Sequence, residues 1–326
     1  MKWIIEVFFL ALLPIFATAQ VCGCTDLEAK NYNPNAIIND GSCQYDKVKI
    51  KPIFSVSIND SLRETSGLIY WKNKLWTMND DSDTHLYSID TTGNNLENYF
   101  LSNVKNKDWE AISQDSLYLY IGDFGNNVSG NRKDLHILRI DKKALLENKS
   151  VIDTIAFSFE DQTNFDKQKA NTTNFDCETV LVTRDSLYVL TKEWSSKQTR
   201  LYVLPKIAGN YQAKFKASLN VKGLITGGTI LEDKKVIALC GYSKKLKPFI
   251  YLLYDYEENN FFSGNKRKLK LRLPYHQIEG IASINGLHYY LTNENFQRKP
   301  FVSVKQQLHL VDLTEYLASY FSKSRN

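Results

Sequence analysis

Apolar residues in this chain come in short runs separated by polar turns. Lys107–Asn127 shows the pattern. Glu110 opens a first apolar run, Gln114-Asp115-Ser116 makes a turn, Leu117–Ile121 is a second run, and Asp123 closes it. Runs this short, mixing aliphatic and aromatic residues between turn formers, predict a β-hairpin with an acid at each open end. The pattern recurs at Ser66–Asp80, Glu178–Glu193, Gly228–Gly241 and Glu279–Glu294. A third run follows each copy: His85–Ile89, Leu135–Ile140, Leu201–Leu204, Phe249–Tyr254 and Leu308–Leu313. A fourth follows all but the last: Leu96–Leu101, Val151–Phe159, Tyr211–Leu219 and Leu269–Leu273. Val48–Ile58, left over ahead of the first copy, is the strand the last copy lacks.

Repeated four-strand units with a split last unit predict an all-β chain forming a single β-propeller. Five blades of four strands would stand around an axis, the last closed by the N-terminal strand. Six blades is the alternative, if one lies within Asp141–Asn174, which reads as one strand and a polar loop. A β-sandwich is disfavoured by the recurrence of two-hairpin units. Abundant Tyr (19) and Phe (17) with scarce Met (2) suit strands. The formal net charge of +5 is mild, its basic residues are scattered, and no nucleic-acid reader motif occurs, so nucleic acid is not an expected partner.

Ahead of the propeller, residues 1–19 read as a signal peptide. Lys2 precedes an apolar core, Trp3–Phe16, and Ala17-Thr18-Ala19 offers a small-residue cleavage site. The expected product is an exported monomer, periplasmic or extracellular, with no integral membrane segment after cleavage. Residues 20–45 form a Cys/Asn/Asp-rich module, 46–313 the propeller and 314–326 a short amphipathic tail with Leu317 and Tyr320 three apart. Gly23–Asp26, Asn31–Pro34 and Asp40–Cys43 together resemble a short module of secreted bacterial proteins. A stretch this short cannot bury a core, so a staple is expected, and Cys24–Cys43 is the chosen pair. Asp26, Asn31, Asn33, Asn35 and Asp40 offer oxygen ligands suited to Ca²⁺, or simply make turns. Cys177 and Cys240 either cross-link neighbouring blades or are buried thiols.

In the propeller, Glu279–Ala282 and Leu291–Glu294, with Ser66-Gly67-Leu68 and Asp108–Ile112 as variants, resemble secreted and periplasmic propellers related to the phytase-like and SdiA-regulated families. The resemblance implies the fold more strongly than the chemistry. Propeller topology sends first-strand starts and second-strand ends to one face. Glu110, Glu178, Glu279, Asp80, Asp123, Glu193 and Glu294 should therefore ring one mouth. Glu110, Glu178, Glu279, Asp123 and Glu193 are the candidate metal ligands, with Ca²⁺ the expected ion. The alternative is that the first-strand acids accept backbone hydrogen bonds from the next blade. Asp80 and Glu294 read as solvated loop acids. Gly228 and Gly241 leave the fourth blade without acids, an expected opening for a ligand.

Nucleophile and metalloprotease motifs are absent from the sequence, and the five histidines are dispersed. The expected function is an exported binding or interaction protein that takes a small ligand or protein at an acidic, Ca²⁺-organised mouth. The alternative is a Ca²⁺-dependent hydrolase of phosphoester or lactone type, with His276 or Asp123 activating water.

Overall fold

The computed structural model describes residues 20–323, so the expected signal peptide lies outside the described residues. Two short parallel strands, β1 (Cys22–Gly23) and β2 (Ile38–Asn39), come first. They are followed by β3 (Val48–Ile50) and β4 (Phe54–Ser57). The chain then forms antiparallel meanders. The first comprises β5 (Thr65–Trp71), β6 (Lys74–Asn79), β7 (His85–Ile89) and β8 (Glu97–Phe100). The second has β9 (Trp109–Gln114), β10 (Tyr118–Asp123), β11 (His136–Asp141) and, after helix α1 (Lys142–Leu146), β12 (Ile152–Phe159). The third has β13 (Cys177–Val182), β14 (Ser186–Thr191), β15 (Thr199–Pro205) and β16 (Gly209–Leu219). The fourth has β17 (Leu224–Leu231), β18 (Val236–Tyr242), β19 (Pro248–Tyr254) and β20 (Asn265–Leu271). The last has β21 (Ile278–Ser283), β22 (His288–Asn293), a side hairpin of β23 (Phe296–Arg298) and β24 (Val302–Val304), and β25 (Gln307–Asp312). Helix α2 (Thr314–Lys323) follows, with Tyr316 and Leu317 buried against the core of the last two meanders.

The first strands pack side by side in the cyclic order β5, β9, β13, β17, β21 and back to β5. The fold is a β-propeller. Its core is divided accordingly, each part lying between two neighbouring meanders. Trp76 and Met78 join Trp109 and Ile121 between the first and second, and Phe159 meets Tyr202, ring centres 4.7 Å apart, between the second and third. Burial on both faces explains why the inner strands read as continuous apolar runs. β18 and β19, for example, are buried at every position.

Three features differ from expectation. Val48–Ile58 is two strands serving two meanders: β3 pairs in parallel with β20, and β4 pairs antiparallel with β25. Pro52, with no N–H to donate, falls between them. The outer strands β12 and β16 pair in parallel and merge the second and third meanders into one eight-stranded sheet. The fourth repeat begins earlier than Gly228, at Leu224. Thr226 and Gly227, ahead of the expected start, run inside the strand, where the neighbouring strand approaches too closely for a side chain at Gly227. A Cβ on Gly227 would lie 2.4 Å from the Glu279 carbonyl oxygen.

The N-terminal module carries the Cys24–Cys43 disulfide, while Cys22 is an exposed thiol and Cys177 and Cys240 are buried thiols. Its oxygens make turns: Asp26 Oδ1 accepts from Glu28 N, Asn33 Oδ1 from Asn35 N, and Asp40 Oδ1 from Ser42 N. Asp26 also docks the module on the fourth meander, its Oδ2 accepting from the Tyr45 hydroxyl at 2.6 Å and the Tyr254 hydroxyl at 2.5 Å. Asn39 donates to Asp255 and Asn265, and the Arg267 guanidinium lies 4.6 Å from the Tyr45 ring centre.

Candidate functional site: an acid-lined end of the ring

Each first strand carries a bulge near the same end. Trp109 faces Asp123 and Ala111 faces Gly122, leaving Glu110 as the extra residue. Glu178 is the extra residue in β13 and Glu279 in β21. In β17 that place belongs to Thr226, and β5 has its irregularity between Ser66 and Ile69. A bulge turns a side chain out of the regular alternation. Here it gathers three carboxyls at one end of the ring, where Glu110 and Glu279 both act on Glu178.

One cation answers them. Lys192, directly after β14, is 4% exposed, and its Nζ donates to Glu178 Oε1 at 2.9 Å. It also faces the rings of Trp194 (5.1 Å) and Tyr242 (5.6 Å). Burial by itself would loosen its proton, but Glu178, Tyr242, Glu279 and Glu110 together hold its affinity well above that of an ordinary lysine. Burial pushes Glu110 and Glu178 well above the usual carboxylate range; repulsion from Asp108 adds to this for Glu110, and from Glu110 for Glu178. Burial raises Glu279 as well, while Lys192 opposes the shift.

Two of the second-strand acids, Asp123 and Glu193, have cations of their own. Asp123 Oδ1 pairs with Arg132 at 2.6 Å, and its Oδ2 accepts from Lys107 N at 3.0 Å. Glu193 Oε1 pairs with Arg200 at 3.1 Å, and Ser196 donates to its Oε2. The ring thus brings Glu110, Glu178 and Glu279 together around Lys192, with Asp123 and Glu193 in separate ion pairs. His276 is bonded at Nδ1 to the Pro274 carbonyl (2.9 Å) and at Nε2 to Gln307 Oε1 (3.1 Å). The expected opening at the fourth meander is a consequence of the misplaced repeat. Thr226 occupies the acid position there, and Tyr242, 5% exposed, stands at the end of β18.

A second group of acids lies at the same end and is half-buried. Carboxylate oxygens of Glu64, Asp80 and Glu294 lie within 4.8 Å of one another. Asp80 N donates to the Glu64 carbonyl, and Gln277 Nε2 donates to Glu294 Oε2 at 2.7 Å. Burial, then repulsion from Glu64 and Glu279, pushes Asp80 up to about 7. Burial, then Glu279 and Asp80, raises Glu294 well above the usual range. Asp108 is pushed up to about 6, first by burial and then by Asp176. Asp176 is fully buried and accepts from Asn126 N and Trp194 Nε1, each at 2.7 Å. Sequence reasoning passed over Asp108 and Asp176, although a signal existed. Each stands two residues before a bulged glutamate, in Asp108-Trp109-Glu110 and Asp176-Cys177-Glu178.

No family model matches this chain, and no curated protein does. Solved structures with similar backbones include the PQQ-bound aldose sugar dehydrogenase of Streptomyces coelicolor. It shares 11% identity over 81% of this chain and 98% of that one, at a TM-score of 0.48. Streptogramin B lyase shares 9% over 74% and 80%, at 0.39. The RRP9 WD40 repeats share 9% over 76% and 67%, at 0.36. No residue role or activity passes from those proteins to this chain.

Proposed function

We propose that this is an exported binding protein, a propeller of five blades that receives a positively charged group of its partner at the acid-lined end of the ring. The observation that carries the reading is the surplus of carboxylate there. Lys192 answers the bulged glutamates, while Glu64, Asp80, Asp108 and Glu294, with Asp81 close enough for its charge to act on Glu64 and Asp80, stand at the same end without an ion pair among the described residues. Partly desolvated like charges favour an incoming cation, which relieves their repulsion. The five-blade count is supported by the cyclic order of first strands and by a core cluster between each adjacent pair. The hydrolase alternative has less support, because both carboxylate oxygens of Asp123 and both ring nitrogens of His276 already have partners.

A short oligolysine peptide tests the reading well, because the chain's net charge of +5 repels such a probe everywhere else. Titration calorimetry should show binding that weakens with salt and is lost in the Asp81→Asn, Asp108→Asn double variant. Absence of binding at low salt, or binding unchanged by the double variant, overturns it.

A further inference from the structure

We propose that loops of the fourth and fifth meanders form a surface that docks on an anionic lipid bilayer, with Phe301 entering its interface. The proposal goes beyond the cationic-partner reading and does not depend on it, because it uses other residues.

Topology brings the loops together. In an antiparallel meander, the loop from second to third strand and the loop from fourth strand to the next first strand share one end of the ring. Residues 243–247, 272–277 and 294–306 are three such loops, the last containing the β23–β24 hairpin. Two contacts join them. Tyr275 N donates to the Leu246 carbonyl at 3.0 Å, and His276 Nε2 lies 3.1 Å from Gln307 Oε1, just after the hairpin. Their charge is one-sided. Glu294 is half-buried and accepts from Gln277 Nε2. The other charged residues of these loops are Lys244, Lys245, Lys247, Arg272, Arg298, Lys299 and Lys305. All seven are exposed, and none forms an ion pair among the described residues. The matching loop of the first meander is the opposite, reading Asp80-Asp81-Ser82-Asp83-Thr84. Clustered exposed cations without counter-charges attract an anionic surface.

Exposed aromatic rings select lipid among anionic partners. Phe301, in the turn of the hairpin, is 87% exposed, more than any other large apolar side chain described. Arg298 and Lys299 stand just before it. Tyr275 is 50% exposed and held at φ +67, a left-handed conformation that bulky residues seldom adopt. An aromatic ring bordered by Lys and Arg suits a bilayer boundary, where the ring enters and the basic chains reach the headgroup phosphates. Single-stranded nucleic acid instead takes a groove lined with stacking rings. The hairpin turn is exposed from Gln297 to Phe301, a projection and not a groove. Such docking is peripheral, since no helix among the described residues is long and apolar enough to cross a membrane.

The experiment is co-sedimentation of the full mature chain with vesicles of equimolar phosphatidylglycerol and phosphatidylcholine, and with vesicles of phosphatidylcholine alone. The wild type should sediment with the mixed vesicles, come off as salt rises, and stay in solution with phosphatidylcholine. Phe301→Ser should weaken binding by about tenfold. The Lys244→Gln, Lys245→Gln double variant should weaken it by about tenfold or more. Lys72→Gln, Lys143→Gln removes the same charge from exposed positions at the opposite end and should leave binding unchanged. All these side chains are exposed, so the variants should melt with the wild type. In Phe301→Trp the added indole should shift its emission to the blue on mixed vesicles only. No sedimentation with mixed vesicles at low salt overturns the proposal, as does unchanged binding by Phe301→Ser. Equal losses in the two lysine double variants would reduce the effect to net charge and overturn it too. Heparin and a single-stranded DNA oligomer are the remaining probes. Either one binding as tightly as the mixed vesicles, with no loss in Phe301→Ser, assigns the loops to a soluble polyanion and overturns lipid docking. The oligolysine titration reads the acids alone, so failure of either reading leaves the other standing.

Discussion

Replacing Lys192 by methionine keeps most of its stem and removes only the ammonium. Lys192 is 4% exposed and Glu178 0%, so their 2.9 Å pair is almost out of water. Removing one partner of such a pair leaves a buried charge uncompensated, at a cost of about 3–5 kcal/mol. At about 2 °C per kcal/mol for a chain of this size, the melting point should fall by roughly 6–10 °C near pH 8. The deficit should shrink near pH 5. Lower pH favours the protonated form of Glu178, whose proton affinity burial and Glu110 already raise, and that form needs no counter-charge. Adding Glu178→Gln should recover about 1–3 kcal/mol of the loss, a coupling measurable by a double-mutant cycle in urea. A loss below about 1 kcal/mol at pH 8 would mean that the ammonium behaves as a surface ion. An equal loss at both pH values would assign the effect to packing. Either result refutes the reasoning.

The remaining expectations concern other parts of the molecule. Asp80 and Asp108, raised from 3.8 to about 7 and about 6, favour the folded state when protonated. Their contribution is complete below about pH 4 and is lost as pH rises through 6–7, so in chelated buffer the melting point should fall from pH 5 to pH 8; a flat or rising profile contradicts the burial assigned to them. Gly227→Ala places a Cβ 2.4 Å from the Glu279 carbonyl oxygen and should destabilise by about 1–3 kcal/mol in urea titration; a neutral outcome would mean that β17 and β21 can separate there. Asp26→Ala strips the acceptor from the Tyr45 and Tyr254 hydroxyls and should cost about 1–3 kcal/mol locally. Hydrogen exchange should speed up across residues 20–45 while the propeller core stays protected, and unchanged exchange would count against this docking contact.

The strands were legible because two-faced burial leaves a strong mark, an apolar run between turn formers. The third run at His85–Ile89 coincides with β7. The slip at the fourth repeat came from Thr226-Gly227-Gly228, where glycine serves close packing between strands and only the neighbouring backbone reveals it. Pro52 was visible, but the division of its flanking strands between two meanders depends on pairing with β20 and β25, far along the chain. At the site, topology places the starts of the first strands, and with them the bulged glutamates, at one end. It could not show that Lys192 turns inwards to meet them, because a lysine after a strand is usually solvated. Nor could it join Glu64 to Glu294, since their approach exists only once β21 packs against β5.

That closure also affects how the chain folds. Ser55 in β4 bonds across to His309 in β25, 254 residues away. A chain made from its N-terminus therefore holds β4 unpaired until β25 has been made. Such long-range pairing is slow, because the entropy of closing the loop must be lost before any contact rewards it. The unpaired strand is also a hazard, since its free backbone can join the edge of another molecule. Ser55 and Ser57 alternate with Phe54 and Val56 along it, which limits how apolar that waiting edge is. The ring's last joint is therefore the step at which crowding or a bound chaperone would most change the yield of folded protein.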